Sequence, residues 1–219
     1  MKKPLLILFG LLLMATTAPA RADLYTFEDG MRPDILTGGR IATTRGYANY
    51  GFDDYFVWSN GRAITLTLTG LDPADSLNLE FDLAIIDSWD GSNGVWGTDM
   101  MNVAMNDELI FQETFSQFNP DEQSYAENPF VSGQNLYRNG HWQDSAYHIS
   151  LTGLRPQGDS MTLRWFANGS GWQGIRHSRD ESFAIDNIQV NPVPEPATML
   201  LFGTGLAGLA TLRRKRQGA

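Results

Sequence analysis

Cysteine is absent from the 219 residues, which excludes disulfides, Cys-ligated zinc, iron–sulfur clusters and thiol catalysis. Histidine is scarce: His141, His148 and His177 show no H-E-x-x-H spacing, and no G-x-S-x-G occurs. Residues 23–191 contain no strong amphipathic helix, so a helical bundle is excluded for the body. Positive charge is almost missing from that body. The chain has 16 Lys and Arg, of which Lys2, Lys3 and Arg21 lie at the front and Arg213, Arg214, Lys215 and Arg216 at the back. Nine remain, all Arg, against 24 of the 25 acids between residues 23 and 192, a net of −15. Such a surface repels phosphate backbones and excludes nucleic acid as a partner. It suits divalent cations or neutral, hydroxyl-rich ligands. Hydrophobic residues at 42% and aromatics at 11% are enough to form a core.

Both ends read as addresses. Met1-Lys2-Lys3 is a positive n-region, Leu5 to Ala15 an apolar stretch, and Ala20-Arg21-Ala22 a small-x-small cleavage signal. Together they predict a secretory signal peptide over residues 1–22. At the other end, prolines 192, 194 and 196 make a stiff extended spacer. Residues 197–212 are uncharged and mostly apolar, and residues 213–216 are Arg-Arg-Lys-Arg. The spacing predicts a short membrane-spanning helix with its basic end in the cytoplasm and the body outside the inner membrane. Gly203-Thr-Gly205-Leu-Ala-Gly208 spells G-x-G-x-x-G, but the chain ends before the acid a dinucleotide site needs. Those small residues fit close helix approach within a membrane better.

The order Pro194-Glu195-Pro196, apolar helix, basic cluster Arg213, Arg214, Lys215, Arg216 resembles the PEP-CTERM sorting signal of Gram-negative bacteria. The resemblance covers residues 192–219. It implies an exosortase-type processing enzyme as partner and a transient stay in the inner membrane. Cleavage near the Pro-Glu-Pro would then deliver the body to the cell surface or extracellular matrix. It also implies an exopolysaccharide or biofilm setting. A permanent single-span anchor is the plain alternative.

Residues 23–191 read as an all-β domain, a two-sheet, jelly-roll-like sandwich of about nine short strands. In Leu77-Asn-Leu79-Glu-Phe81-Asp-Leu83-Ala-Ile85 the odd positions are apolar and the even ones mostly polar, the period of a half-buried strand. Strands are also predicted at 24–27, 50–58, 63–68, 100–105, 108–115, 146–151, 161–166 and 183–190. An internal echo aligns Leu68-Thr-Gly-Leu71-Asp-Pro73 through Phe81 with Leu151-Thr-Gly-Leu154-Arg-Pro156 through Trp165. Each unit is followed by a Gly/Asn loop ending in Trp, at Trp96 and Trp172. Matching strand ends would bring both loops to one rim. Residues 116–142 are long for a structureless connection, so they hold a functional loop or short elements.

The body also resembles the jelly-roll domains of exported bacterial proteins, including carbohydrate-binding modules, through Phe27-Glu28, the 81–91 segment and Phe183-Ala-Ile-Asp186-Asn-Ile-Gln-Val190. The resemblance implies a structural Ca2+ between the first and last strands, with Glu28 and Asp186 as ligands. A second oxygen-rich candidate is the loop holding Asp87 and Asp90, with Asp99. Its spacing is not that of an EF-hand. Trp89, Trp96 and Trp172, with Asn93 and Asn168, suit glycan contact: indoles stack on apolar sugar faces while amides bond hydroxyls. Trp142 is a further candidate, whereas Trp58 and Trp165 belong to strands and the core. The reading is a non-catalytic exported protein contacting glycan or calcium. A polysaccharide hydrolase and a self-associating matrix protein are the alternatives.

Overall fold

The computed structural model of the chain describes residues 23–92, 94–137, 142–174, 180–193 and 203–205. The predicted signal peptide, Asn93, Pro194, Glu195, Pro196, Arg213, Arg214, Lys215, Arg216 and most of the 197–212 stretch lie outside the described residues. No helix among the described residues is long and apolar enough to cross a membrane.

Twelve strands form two antiparallel sheets among the described residues. They are β1 (Asp23–Tyr25), β2 (Leu36–Thr37), β3 (Arg40–Thr43), β4 (Tyr55–Ser59), β5 (Ile64–Thr69), β6 (Ser76–Asp87), β7 (Met100–Met105), β8 (Glu108–Thr114), β9 (Val131–Gln134), β10 (Asp144–Leu154), β11 (Ser160–Asn168) and β12 (Glu181–Val193). One sheet has the order β3-β4-β12-β6-β10-β9, with β1 also paired to β12; the other has the order β2-β5-β11-β7-β8. The chain switches sheets at every connection except β3 to β4, β7 to β8 and β9 to β10, which makes the sandwich jelly-roll-like.

The alternation in β6 sets the core. Leu77, Leu79, Phe81, Leu83 and Ile85 are buried between the sheets with Phe27, Val57, Leu66, Val103, Leu163, Trp165, Phe183 and Ile185. From Ala84 onward the outer face of β6 is buried too. Ala84 pairs in register with Ala146 of β10 and Ala184 of β12, which makes a flat alanine strip across three strands. Tyr47, Phe52, Phe56, Trp58 and Tyr137 belong to the cluster that covers this strip. The Tyr47 hydroxyl lies 3.1 Å from the Ile85 carbonyl oxygen and 3.2 Å from that of Ser145, so the cover is hydrogen-bonded to the sheet.

The internal echo has a structural counterpart. β5 and β6 form one unit and β10 and β11 the other, yet β5 pairs with β11 and β6 with β10. The two units therefore run opposite ways and each crosses once between sheets. Their turns meet at one end, where Leu71 N donates to the Asp159 carbonyl at 3.0 Å.

Three elements escape the sequence pattern: β2, β3 and β9 are two to four residues long and lie at sheet edges, too short to show alternation. The strand predicted from Tyr50 begins only at Tyr55, because residues 45–50 form a 3-10 helix closed by Gly51 at φ 91°. The 116–142 segment contains a second 3-10 turn, Pro120–Glu122, and β9.

Candidate functional site

The end of the sandwich opposite the echoed turns gathers the long loops. β6, β8 and β11 finish there, and β7, β10 and β12 begin there. The 88–99 loop leaves β6 and crosses to β7, while the loop after β11 crosses the other way. Their backbones touch: Gly171 N donates to the Thr98 carbonyl at 3.1 Å, and Thr98 N donates to Ser170 Oγ at 3.1 Å. Glycine permits this approach. At Gly169, with φ 129°, a Cβ would stand 1.8 Å from the Thr98 carbonyl oxygen. The two loops of the echo thus share one rim. The 116–123 segment joins it, since Gln117 N donates to the Trp89 carbonyl at 2.9 Å.

Inside this rim Asp90, Asp99 and Glu181 each bring a carboxylate oxygen within 4.8 Å of the other two. Asp99 is 0% exposed and Glu181 1%. One oxygen of each is committed: Asp99 Oδ2 accepts from Asp90 N at 2.7 Å, and Glu181 Oε2 from Gln173 N at 2.5 Å. The other oxygens, Asp99 Oδ1 and Glu181 Oε1, are buried and accept no hydrogen bond from the described residues. Burial first, then Asp90 and Asp180, pushes Asp99 up to about 6, against a backbone bond from Asp90. Burial, then Asp99, Asp180 and Asp90, pushes Glu181 up to about 8, against the Gln173 bond. Asp90 is raised as well, by burial and then by Asp180 and Glu122.

Asp87, expected with Asp90 and Asp99, is not part of this group. It sits at the end of β6 with φ 70°, and its N–H donates to Asp144 Oδ1 at 2.9 Å. Its place is taken by Glu181, which the strand register sets opposite Asp87. The signal for Glu181 was a carboxylate at the start of the last strand. It becomes legible only once β12 is known to pair with β6.

Glu28 and Asp186 form a second acidic region on the outer face of the larger sheet. Asp186 is directly across from Asp82 of β6. Its Oδ1 accepts from Asn187 N at 2.7 Å, and its Oδ2 is buried without a hydrogen bond from the described residues. Burial, then the Glu28, Asp82 and Asp53 carboxylates, pushes Asp186 up to about 8, against the Asn187 bond. Glu28 Oε2 accepts from Asp54 N at 2.8 Å. Asn187, at φ 49°, donates from Nδ2 to Asp82 Oδ2 and to the Gly51 carbonyl, both at 2.8 Å.

The indoles divide. Trp96 is 66% exposed beside exposed Val95. Trp172 is half-buried and packs edge to face on Trp89, with centroids 5.1 Å apart. Trp89 itself is fully buried, and its Nε1 donates to the Ser182 carbonyl at 2.9 Å, so it is a core residue rather than a ligand contact. The glycines around it suggested exposure, but the rim folds over it. Asn168 is exposed, and its Oδ1 accepts from Asn102 Nδ2 at 2.9 Å. Trp142 is exposed and meets exposed Phe118 edge to face at 5.5 Å. Trp58 and Trp165 are buried, as their strand positions predict.

Residues 192–216 match the PEP-CTERM protein-sorting motif. The motif implies export, an exosortase-type processing partner and a membrane-attached sorting step. No curated protein matches the chain. Among solved structures, the insecticidal delta-endotoxin Cry8Ea1 of Bacillus thuringiensis is 15% identical with a TM-score of 0.40; the match covers 72% of this chain but only 22% of that one. The CBM22-1 xylan-binding domain of Paenibacillus barcinonensis Xyn10C is 12% identical with a TM-score of 0.40, covering 80% of this chain and 97% of that one. CBM27-1 of Caldicellulosiruptor saccharolyticus, solved in complex with mannohexaose, is 12% identical with a TM-score of 0.45, covering 80% of this chain and 100% of that one.

Proposed function

We propose that the chain is a non-catalytic surface or matrix protein, sorted by its C-terminal motif, whose loop rim binds neutral glycan in an exopolysaccharide or biofilm setting. The observation that carries this reading is the exposure of Trp96 on a rim that also presents the Phe118–Trp142 pair. Aromatic faces of this kind stack on the apolar faces of sugar rings. The acidic body supports a neutral rather than an anionic ligand. Calcium enters as a structural ion held by Glu28 and Asp186. Asp186 Oδ2 is buried, accepts no hydrogen bond from the described residues and lies among the Glu28, Asp82 and Asp53 carboxylates, an arrangement that suits a cation.

Glycan-array binding by the purified chain, with no release of reducing ends, is the expected result. W96A and W142A should weaken that binding. Release of reducing ends from a polysaccharide would replace this reading with a hydrolase. Concentration-dependent assembly without any glycan binding would replace it with a self-associating matrix protein.

A further inference from the structure

The rim acids pose a problem that hydrogen bonds do not solve. Two fully buried carboxylates and a third close by have their oxygens within 4.8 Å, and among the described residues no cation pairs with Asp99 or Glu181. Buried charge of one sign is costly unless it is paired or coordinated. The two unbonded oxygens, Asp99 Oδ1 and Glu181 Oε1, are the atoms a ligand would complete. A second feature keeps the space open: a Cβ at Gly171 would stand 2.9 Å from Asp99 Oδ1. The chain thus holds a glycine where any side chain would crowd that oxygen.

We infer that Asp90, Asp99 and Glu181 form a divalent-cation site, for Ca2+, that fastens the Trp96-bearing loop to the start of β12. The donor set is all oxygen, without the nitrogen or sulfur that favours zinc or copper. Ca2+ takes oxygen ligands at about 2.3–2.6 Å in a flexible shell, so carboxylate oxygens within 4.8 Å of one another can share one such ion. The site is separate from Glu28 and Asp186, because Glu181 and Asp186 lie five residues apart on one strand, on the rim and on the outer sheet face. Asp90 and Asp99 are the two feet of one loop, closed by the 2.8 Å bond from Asp99 N to the Gly91 carbonyl. A cation bound to both feet and to Glu181 fixes that loop, and with it Trp96, to the sheet. The cation site stands by itself; its effect on glycan rests on the function proposed above.

The test uses the full chain in detergent, stripped with EDTA and titrated with Ca2+ alone by calorimetry, with melting followed in parallel. The wild type should bind calcium at the rim and gain melting temperature. E181Q and D99N should lose that binding event, with affinity down roughly tenfold or more, while melting no lower than wild type in EDTA. G171A should weaken the same event. D186N should leave it in place, whether or not Glu28 and Asp186 bind an ion. Identical titrations of wild type, E181Q and D99N would overturn the inference. So would the absence of a rim calcium event in the wild type. W96A should keep the calcium event and lose glycan, so failure of the glycan reading is distinguishable from failure of the cation site.

Discussion

The rim acids and the acids on the outer sheet face are built differently. Asp186 and Asp82 face each other because the pairing of β12 with β6 puts them there, and Asn187 and the backbone around Asp54 supply the nearby donors. Asp90, Asp99 and Glu181 come from a loop and a strand end that meet only because glycines let two crossing loops touch. The sheet-face group is set by ladder register, the rim by loop packing. Damage to loop packing should therefore disable the rim and spare the sheet-face group, whereas damage to the ladder should disable both.

The strongest way to break the comparison is to remove what the rim rests on. W89A deletes a fully buried indole and its bond to Ser182; it should cost about 3–5 kcal/mol in denaturant melts and abolish rim calcium. G169A comes next. Its new Cβ collides with the Thr98 carbonyl at a φ that disfavours side chains, and a loss of about 1–3 kcal/mol is expected. Calorimetry should show rim calcium lost and any calcium at Glu28 and Asp186 retained.

Acidity offers a subtler contrast. Asp186 and Glu181 are both raised to about 8 in the folded protein, whereas carboxyls titrate near 4 in an unfolded chain. Between those values the native state holds more protons than the unfolded one, so stability falls as pH rises. In EDTA the protein should melt higher at pH 5 than at pH 8. E181Q and D186N should each flatten that slope. Saturating calcium should oppose it, since the ion needs deprotonated ligands. The smallest effect on stability is expected for W96A, within about 0.5 kcal/mol, although glycan-array signal should drop.

Much of the fold was legible in the sequence. The alternation of Leu77 to Ile85 placed the central strand, and the echoed Thr-Gly-Leu turns foretold that two Trp-ended loops would share an end. The short strands β2, β3 and β9 carry too few residues for a period. The site was half legible: Asp90 and Asp99 lie nine residues apart in an oxygen-rich loop, but Glu181 arrives through register, which no local pattern reveals. Trp89 misled because glycine-rich surroundings predict exposure, while burial depends on loops from elsewhere in the chain.

β12 runs from the rim carboxylate of Glu181 to Val193, and the sorting segment begins where it stops. Asp23, the first described residue, pairs with Val190 near that same end. Both ends of the described sandwich therefore leave the fold on the side away from the rim. A pull through Pro194 would enter along the axis of an interior strand flanked by β6 on one side and by β4 and β1 on the other. Its ladder bonds would then resist in shear, all at once, rather than peel apart singly.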